Sequence, residues 1–350
     1  MTDFALNIRS RTTHFTQRLW TKEKVWLFIA GLLTLLFIFE PEQAGSSAQF
    51  AARNLLEIAP FLILSISMAA YAGASGADGL IARAFSGSAA IMILFAALAG
   101  GLSPFCSCGV IPLIAALLAM GVPLSAVMAF WLASPVMDPS MFILTAGVLG
   151  IEFAIAKTLA AIGLGLLGGY VVHMLNRTGR LSDPLREGVG NGGCGGAKVR
   201  TVRPVIWKFW QEEERVAKFI TEGIKTTLFL AKWLTIAFLL ESLMMAWLPA
   251  ELVARSLGGS GFMPIIIATL VGVPAYLNGY AALPLVGELI RQGMTPGAGL
   301  SFLVAGSVTS LPAAIAVWAL VRKKIFFLYL GIALTGSLAA GFLFQYWTAI

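Results

Sequence analysis

The chain has 350 residues, 58% of them hydrophobic and only 12% charged, with a net charge of +7. Soluble domains carry about a quarter charged residues, so a water-soluble globule is excluded. The basic residues gather in a few loops and not in an aromatic-rich patch, which excludes a nucleic-acid surface, and three cysteines are too few for a disulfide scaffold.

Residues 1–24 are basic, with Arg9, Arg11, Arg18, Lys22 and Lys24, and they precede a short apolar run at 25–39. Ser46-Ser47-Ala48 has the small residues of a cleavage site, but the basic region is long and Glu40-Pro41-Glu42 intervenes, so an uncleaved first helix is expected. Further spans are expected at 55–74, 89–120, 124–147, 153–175, 219–247, 262–290, 298–320 and 325–347, those at 89–120 and 262–290 interrupted. No Asp, Glu, Lys or Arg occurs from Ala84 to Met137, from Ser256 to Gly287 or from Gln292 to Val321. A helix crosses a bilayer with roughly 20 apolar residues, so each stretch reads as membrane-embedded. The long polar segment, 176–217, holds a series of basic residues from Arg177 to Arg215 and a glycine-rich patch at 190–196 that reads as flexible linker. Four regions follow: 1–54, a cytoplasmic tail, first transmembrane helix and external loop; 55–175, a first membrane repeat; 176–217, the cytoplasmic linker; and 218–350, a second membrane repeat.

The two halves are related. A shift of 172 positions lays Leu80, Ala82, Arg83, Gly87 and Ser88 on Leu252, Ala254, Arg255, Gly259 and Ser260. Without a gap, Gly100, Pro112, Gly121, Phe130 and Ala133 fall on Gly272, Pro284, Gly293, Phe302 and Ala305. Internal duplication marks transporter folds. Lys and Arg favour the cytoplasmic side, which assigns the N-terminus, the 176–217 linker and Arg322-Lys323-Lys324 to that side. The number of crossings between residues 75–88 and the linker is then even, so the interrupted segment at 89–120 enters and leaves by one face. Its halves, at 1.5 Å per residue, are roughly 18–22 Å long and too short to span. The expected fold is an all-α polytopic membrane protein built as an inverted repeat, with seven crossing helices and two re-entrant helical hairpins whose tips lie at 104–108 and 276–280. Irregular backbone at membrane depth is tolerated where it is buried in protein or lines a cavity, so the tips mark the expected site.

The first tip reads Ser103-Pro104-Phe105-Cys106-Ser107-Cys108-Gly109-Val110-Ile111-Pro112. Pro104 and Pro112 break helical continuity and Gly109 permits unusual dihedrals. In an extended tip residues two apart point the same way, so Cys106 and Cys108 present two sulfurs to one soft, thiophilic ligand such as trivalent arsenic, antimony or Cu(I). The alternative is that both cysteines simply pack as small apolar residues. Ser134-Pro135-Val136-Met137-Asp138-Pro139-Ser140 interrupts the next span. A carboxylate at that depth is costly and points to a coupling role, while Asp followed by Pro is equally a helix N-cap; one Asp138 satisfies both. In the second half, Asn278 and Tyr280 fall on Cys106 and Cys108, while Ser307, Thr309 and Ser310 fall on Pro135, Met137 and Asp138. These offer polar, uncharged ligands, or else satisfy backbone groups freed by the breaks. Cys194, in the glycine-rich linker, is either a third thiol for cargo or an incidental cysteine. His14 and His173 are assigned no metal. Lys157, Lys225, Lys232, Glu241, Glu288 and Arg291 are read as boundary markers whose long side chains snorkel to water, with Glu288 and Arg291 spaced to pair at (i, i+3).

The strings Pro104-Phe105-Cys106-Ser107-Cys108, Val110-Ile111-Pro112, Gly121-Val122-Pro123 and Ala133-Ser134-Pro135-Val136-Met137 resemble the ArsP-like (YraQ-type) predicted permeases, over most of the chain from about Leu55 to Trp347. The resemblance implies a permease linked to efflux of trivalent organoarsenicals. Asp138 stands where many relatives are expected to carry Asn, which leaves substrate and ion coupling open.

The expected function is therefore a secondary exporter of thiophilic small molecules in the bacterial inner membrane, multi-pass, with a cytoplasmic N-terminus. Pro104, Cys106, Ser107, Cys108, Ser134, Asp138, Asn278, Tyr280, Ser307, Thr309 and Ser310 contact substrate, and Asp138 couples. It is not expected to be an enzyme, and no Walker A string follows the glycines of the linker. No cofactor is expected. The partners are the lipid bilayer and a small-molecule substrate, with homo-oligomerisation left open. The rival reading is a membrane thiol–disulfide oxidoreductase relaying electrons through Cys106 and Cys108. Two cysteines so close form a strained, easily reduced ring, and Asn278 replaces the matching cysteine of the second half.

Overall fold

The structure, a computed structural model, describes residues 24–76, 88–103, 110–177, 181, 184–186, 205–247, 262–273 and 279–349. Thirteen α-helices cover most of these: α1 (Lys24–Phe39), α2 (Pro41–Ser75), α3 (Ala89–Leu102), α4 (Val110–Ala119), α5 (Leu124–Ala133), α6 (Pro139–Leu149), α7 (Ile151–Asn176), α8 (Glu213–Trp247), α9 (Met263–Gly272), α10 (Gly279–Arg291), α11 (Pro296–Thr309), α12 (Leu311–Leu320) and α13 (Lys323–Ala349). The protein is all-α, and no strand occurs among the described residues.

Local chemistry sets the boundaries. Pro41, Pro139 and Pro296 stand at helix starts, where the missing N–H costs nothing. Gly76, at φ 81°, closes α2 in the left-handed conformation that glycine adopts freely. Pro60 lies inside α2, and the two parts of that helix are bent by 47°. Residues 41–54, expected as external loop, are helical, and Ser46-Ser47-Ala48 sits within that helix with Ser47 fully buried.

Large apolar side chains cover the outside, among them Phe37, Phe39, Ile143, Leu343 and Trp347. In water such a surface would drive association; against lipid it is the ordinary exterior of a multi-pass membrane protein. Three helical segments, Ile151–Asn176, Glu213–Leu243 and Lys323–Ala349, are long and apolar enough to cross a bilayer, or up to five if each of two bent pairs counts as one span. The spans expected at 124–147 and 298–320 are not continuous helices. Each is divided, into α5 and α6 and into α11 and α12, with a 43° bend in the second pair.

The helix boundaries recur at the spacing found in the sequence. Shifted by 172 positions, α2 superposes on α8 residue for residue, α5, α6 and α7 begin where α11, α12 and α13 begin, and α3 and α4 fall on α9 and α10. Turns and close approaches repeat as well. Gly121 and Gly293 precede α5 and α11 with φ of 82° and 106°. A Cβ on Gly100 would lie 2.6 Å from the Phe130 carbonyl oxygen, and one on Gly272 would lie 2.8 Å from that of Phe302. Small residues let helix backbones touch where no hydrophobic force draws helices together.

Equivalent helices pack against each other head to tail. At one end of the α2–α8 pair the Ser242 hydroxyl donates to Ser47 Oγ at 3.0 Å; at the other, Arg215 Nη1 donates to the Ala74 carbonyl at 2.8 Å. Lys218 Nζ donates to the Gly73 carbonyl and the Ile206 N–H to that of Ser75, so cations and amides satisfy the exposed carbonyls of α2. In the α7–α13 pair Phe153 meets Phe344 edge to face at 5.2 Å, while Leu164 lies against Gly336. The linker is tied to the second half at 184–186: Leu185 bridges to Val321, Arg186 Nε donates to the Val321 carbonyl, and its guanidinium lies 4.9 Å from the Trp318 ring.

Candidate functional site

The two broken helices carry the polar residues singled out from the sequence. The first break runs from Ser134 to Asp138, between α5 and α6. Ser134 is 2% exposed and its hydroxyl lies 2.8 Å from that of Ser103, the residue that ends α3. Ser103 Oγ also donates to the Gly100 carbonyl, which orients the pair. Ser103 immediately precedes the Pro104–Gly109 string, so the break and the start of that segment are joined by a buried hydrogen bond.

Asp138 is the N-cap of α6. Its Oδ1 accepts from the N–H of Ser140 at 2.8 Å, the N–H of Met141 at 2.9 Å and the Ser140 hydroxyl. The capping role is therefore filled by one carboxylate oxygen, and Oδ2 makes no hydrogen bond among the described residues.

The second break, around Ser310 between α11 and α12, is wholly buried. Ser307 and Thr309 donate to the carbonyls of Leu303 and Ala305 at 2.6 and 2.7 Å. Both hydroxyls thus satisfy their own helix and keep only acceptor capacity for a ligand. Ser310 is buried at the N-cap position of α12.

Pro104, Cys106, Ser107, Cys108, Cys194 and Asn278 lie outside the described residues, as does the side chain of Tyr280. Among the described residues no group of three or more His, Cys, Asp or Glu is placed to hold a metal.

One reading needs correction. Lys157 is not a boundary residue that snorkels to water: it is 1% exposed, on the face of α7 that also buries Ala154, Ala161, Leu164 and Gly165. It stands only six residues inside α7, which made it look peripheral; α3, α5, α6, α11 and α13 all pack on that helix. The charge that acts on it is Asp138. Its ammonium makes no hydrogen bond or direct ion pair among the described residues. The i, i+3, i+4 spacing of the buried stripe was the sequence signal for it. Glu288 and Arg291 do pair as expected, at 3.3 Å and in an exposed position. Two further residues were missed. One is Ser103; the other is Tyr329 of α13, whose hydroxyl donates to the Val308 carbonyl in the second break and whose ring packs 5.0 Å from that of Trp131 in α5.

An apolar groove of about 590 Å³ between α7 and α13, lined by Ile155, Leu159, Leu164, Leu343 and Trp347 among others, opens on the lipid-facing exterior and holds none of these polar groups.

Comparison with known proteins agrees with this architecture. UPF0718 protein YcgR of Bacillus subtilis (strain 168) is 29% identical over 136 residues, 38% of this chain, and the chain spans 46% of that relative's length. UPF0718 protein MJ0584 of Methanocaldococcus jannaschii is 19% identical over 292 residues, covering 71% of this chain and 80% of the relative. No solved structure matches. The family described as predicted permease, ArsP_1, matches residues 43–346, which is most of the chain including both breaks, and the protein belongs to that family.

Proposed function

We propose that the protein is a secondary permease of the cytoplasmic (inner) membrane that exports small thiophilic molecules, of the class of trivalent arsenicals, past a site formed where the two broken helices meet the Cys106-Ser107-Cys108 string. The observation that carries this reading is the Ser103–Ser134 hydrogen bond. It ties Ser103, the residue that precedes the thiol string in sequence, to the break that carries Asp138. Soft sulfur ligands suit trivalent arsenic, and irregular backbone at membrane depth is tolerated where it is buried in protein or lines a cavity.

Alternating access in this reading rests on the duplication. Equivalent helices pack head to tail, as two oppositely oriented repeats would, and the linker-facing end gathers Arg215, Lys218 and Arg186 near the ends of α2 and α12. Positive residues on that side orient it to the cytoplasm. In this reading α1, α2, α7, α8, α13 and the two broken pairs are seven crossings, and α3–α4 and α9–α10 are the re-entrant hairpins. Asp138 takes up and releases the coupling proton through Oδ2, while Oδ1 holds the helix.

The test is accumulation of methylarsenite, beside arsenite and antimonite, in efflux-deficient cells. Lower accumulation with wild type, lost in both Cys106→Ser and Cys108→Ser, is the expected result; unchanged accumulation with wild type removes the arsenical substrate. In liposomes, Asp138→Asn is expected to keep substrate binding and lose dependence on a pH gradient, and retained dependence removes Asp138 from coupling.

A further inference from the structure

The duplication allows each residue of the first break to be compared with its counterpart in the second. Asp138 corresponds to Ser310 and Lys157 to Tyr329. In the second repeat the counterpart on the long helix reaches the break directly, since the Tyr329 hydroxyl donates to the Val308 carbonyl. In the first repeat the same helix position carries a lysine, 1% exposed, on a helix against which α6, the helix capped by Asp138, is packed. A neutral tyrosine and serine in one repeat are thus replaced by a cation and a carboxylate in the other.

A buried ammonium without hydrogen bonds is costly anywhere and more so in a membrane, so its retention calls for a partner. The elements packed on α7 are α3, α5, α6, α11 and α13. Helices α3, α5, α6 and α11 contain no Asp, Glu, Lys, Arg or His, and Asp138 caps α6. On α13 the ionisable groups are Lys323, Lys324, Tyr329 and Tyr346. The two lysines are exposed at the far end of that helix, on the order of 20 Å along its axis from the turn beside Lys157. On α7 itself Glu152 is exposed at the first turn, Tyr170 is partly exposed, and His173 lies in the last turn. Among the described residues Asp138 is the carboxylate carried at the start of a helix packed on α7, and its Oδ2 is the oxygen not already committed to the cap.

We propose that Lys157 is the second coupling residue of the permease, a fixed cation that competes with the transported proton for the Asp138 carboxylate. The inference rests on the coupling role of Asp138 proposed above. With Asp138 ionised, the two buried charges compensate each other. When Oδ2 takes a proton from water on one side of the membrane, Lys157 becomes an uncompensated buried charge, and the closed arrangement around it is destabilised. The carrier then favours the arrangement that lets water reach the ammonium. Release of that proton to the opposite side restores the pair. Differential stability of two conformations is what a coupling ion must supply. A serine and a tyrosine in the second break cannot perform this exchange, so coupling belongs to one repeat.

The test uses the purified full chain in two arms. In detergent, thermal unfolding midpoints are compared for wild type, Asp138→Asn, Lys157→Met, the two together, and Asp138→Ser combined with Lys157→Tyr, which installs the second repeat's residues. Each single change is expected to lower the midpoint, and each double change to lie closer to wild type than the less stable of the two singles measured, Asp138→Asn and Lys157→Met. Additive losses overturn the pair. In liposomes loaded with methylarsenite, an imposed pH gradient is expected to speed wild-type flux about tenfold, and Lys157→Met and the Ser/Tyr double variant are expected to transport at the same rate with and without it. Full gradient dependence in Lys157→Met overturns the inference. If Asp138→Asn loses the dependence while Lys157→Met keeps it, only Lys157 is excluded; if both keep it, the coupling role of Asp138 falls too. If wild type moves no methylarsenite, the substrate assignment falls and the unfolding cycle alone decides whether the pair exists.

Discussion

The first break and the second occupy equivalent places in the duplicated fold, yet they are built differently. Between α5 and α6 a carboxylate caps the returning helix with one oxygen, and the long helix packed beside it buries a lysine. Between α11 and α12 the hydroxyls of Ser307 and Thr309 turn back on their own helix, and a tyrosine from α13 satisfies the carbonyl of Val308. The backbone plan is shared because helix lengths, turns and close approaches are shared. The side chains diverge: the first break carries an ionisable pair of residues and the second carries neutral ones, which is the difference on which the proposed coupling rests.

The comparison predicts equal responses where the plan is shared. Gly100→Ala and Gly272→Ala each push a methyl against a facing carbonyl oxygen, and each is expected to cost about 1–3 kcal/mol. Thermal unfolding in detergent checks this, and a large loss at one position with none at the other breaks the equivalence of the repeats. Tyr329→Phe strands the buried Val308 carbonyl and is expected to cost about 1.5 kcal/mol while leaving gradient-driven flux intact. Loss of gradient dependence in that variant would place coupling in the second break as well.

Asp138→Ala removes the N-cap along with the charge and is expected to cost about 1 kcal/mol more than Asp138→Asn, which still caps but leaves Lys157 without its carboxylate. A midpoint for Asp138→Asn as low as for Asp138→Ala would show that the charge, and not the cap, holds the break together. The smallest effect belongs to Ser134→Ala, which deletes the bond to Ser103 at an expected cost of about 0.5–1 kcal/mol. The same change is expected to weaken methylarsenite flux more than stability, because it loosens the segment leading into the thiol string. Equal flux would separate the break from that segment.

Much of this was legible in the residues. Charge-free runs of 30 residues or more announce membrane embedding, since burial of an ionised group in hydrocarbon is so costly. The gapless spacing of Gly100 and Gly272, Gly121 and Gly293, and Phe130 and Phe302 marked the duplication, because close backbone approach and positive φ admit few other residues. Asp138 followed by Pro139 announced its own helix start. The interruptions of 124–147 and 298–320 were legible too, in residues 134–140 and in the polar residues at 307–310, although apolar composition continues across both.

The sequence by itself determined the class, the duplication and the identity of the capping carboxylate, since each follows from local composition or from spacing along one chain. Only the tertiary structure decided that Lys157 is buried, that Ser134 reaches Ser103, and that Tyr329 reaches Val308. Those relations depend on which helices pack over a given turn. A lysine six residues from a helix end is a surface anchor or a buried charge according to the neighbours that cover it, and those neighbours are chosen by packing between segments far apart in the chain.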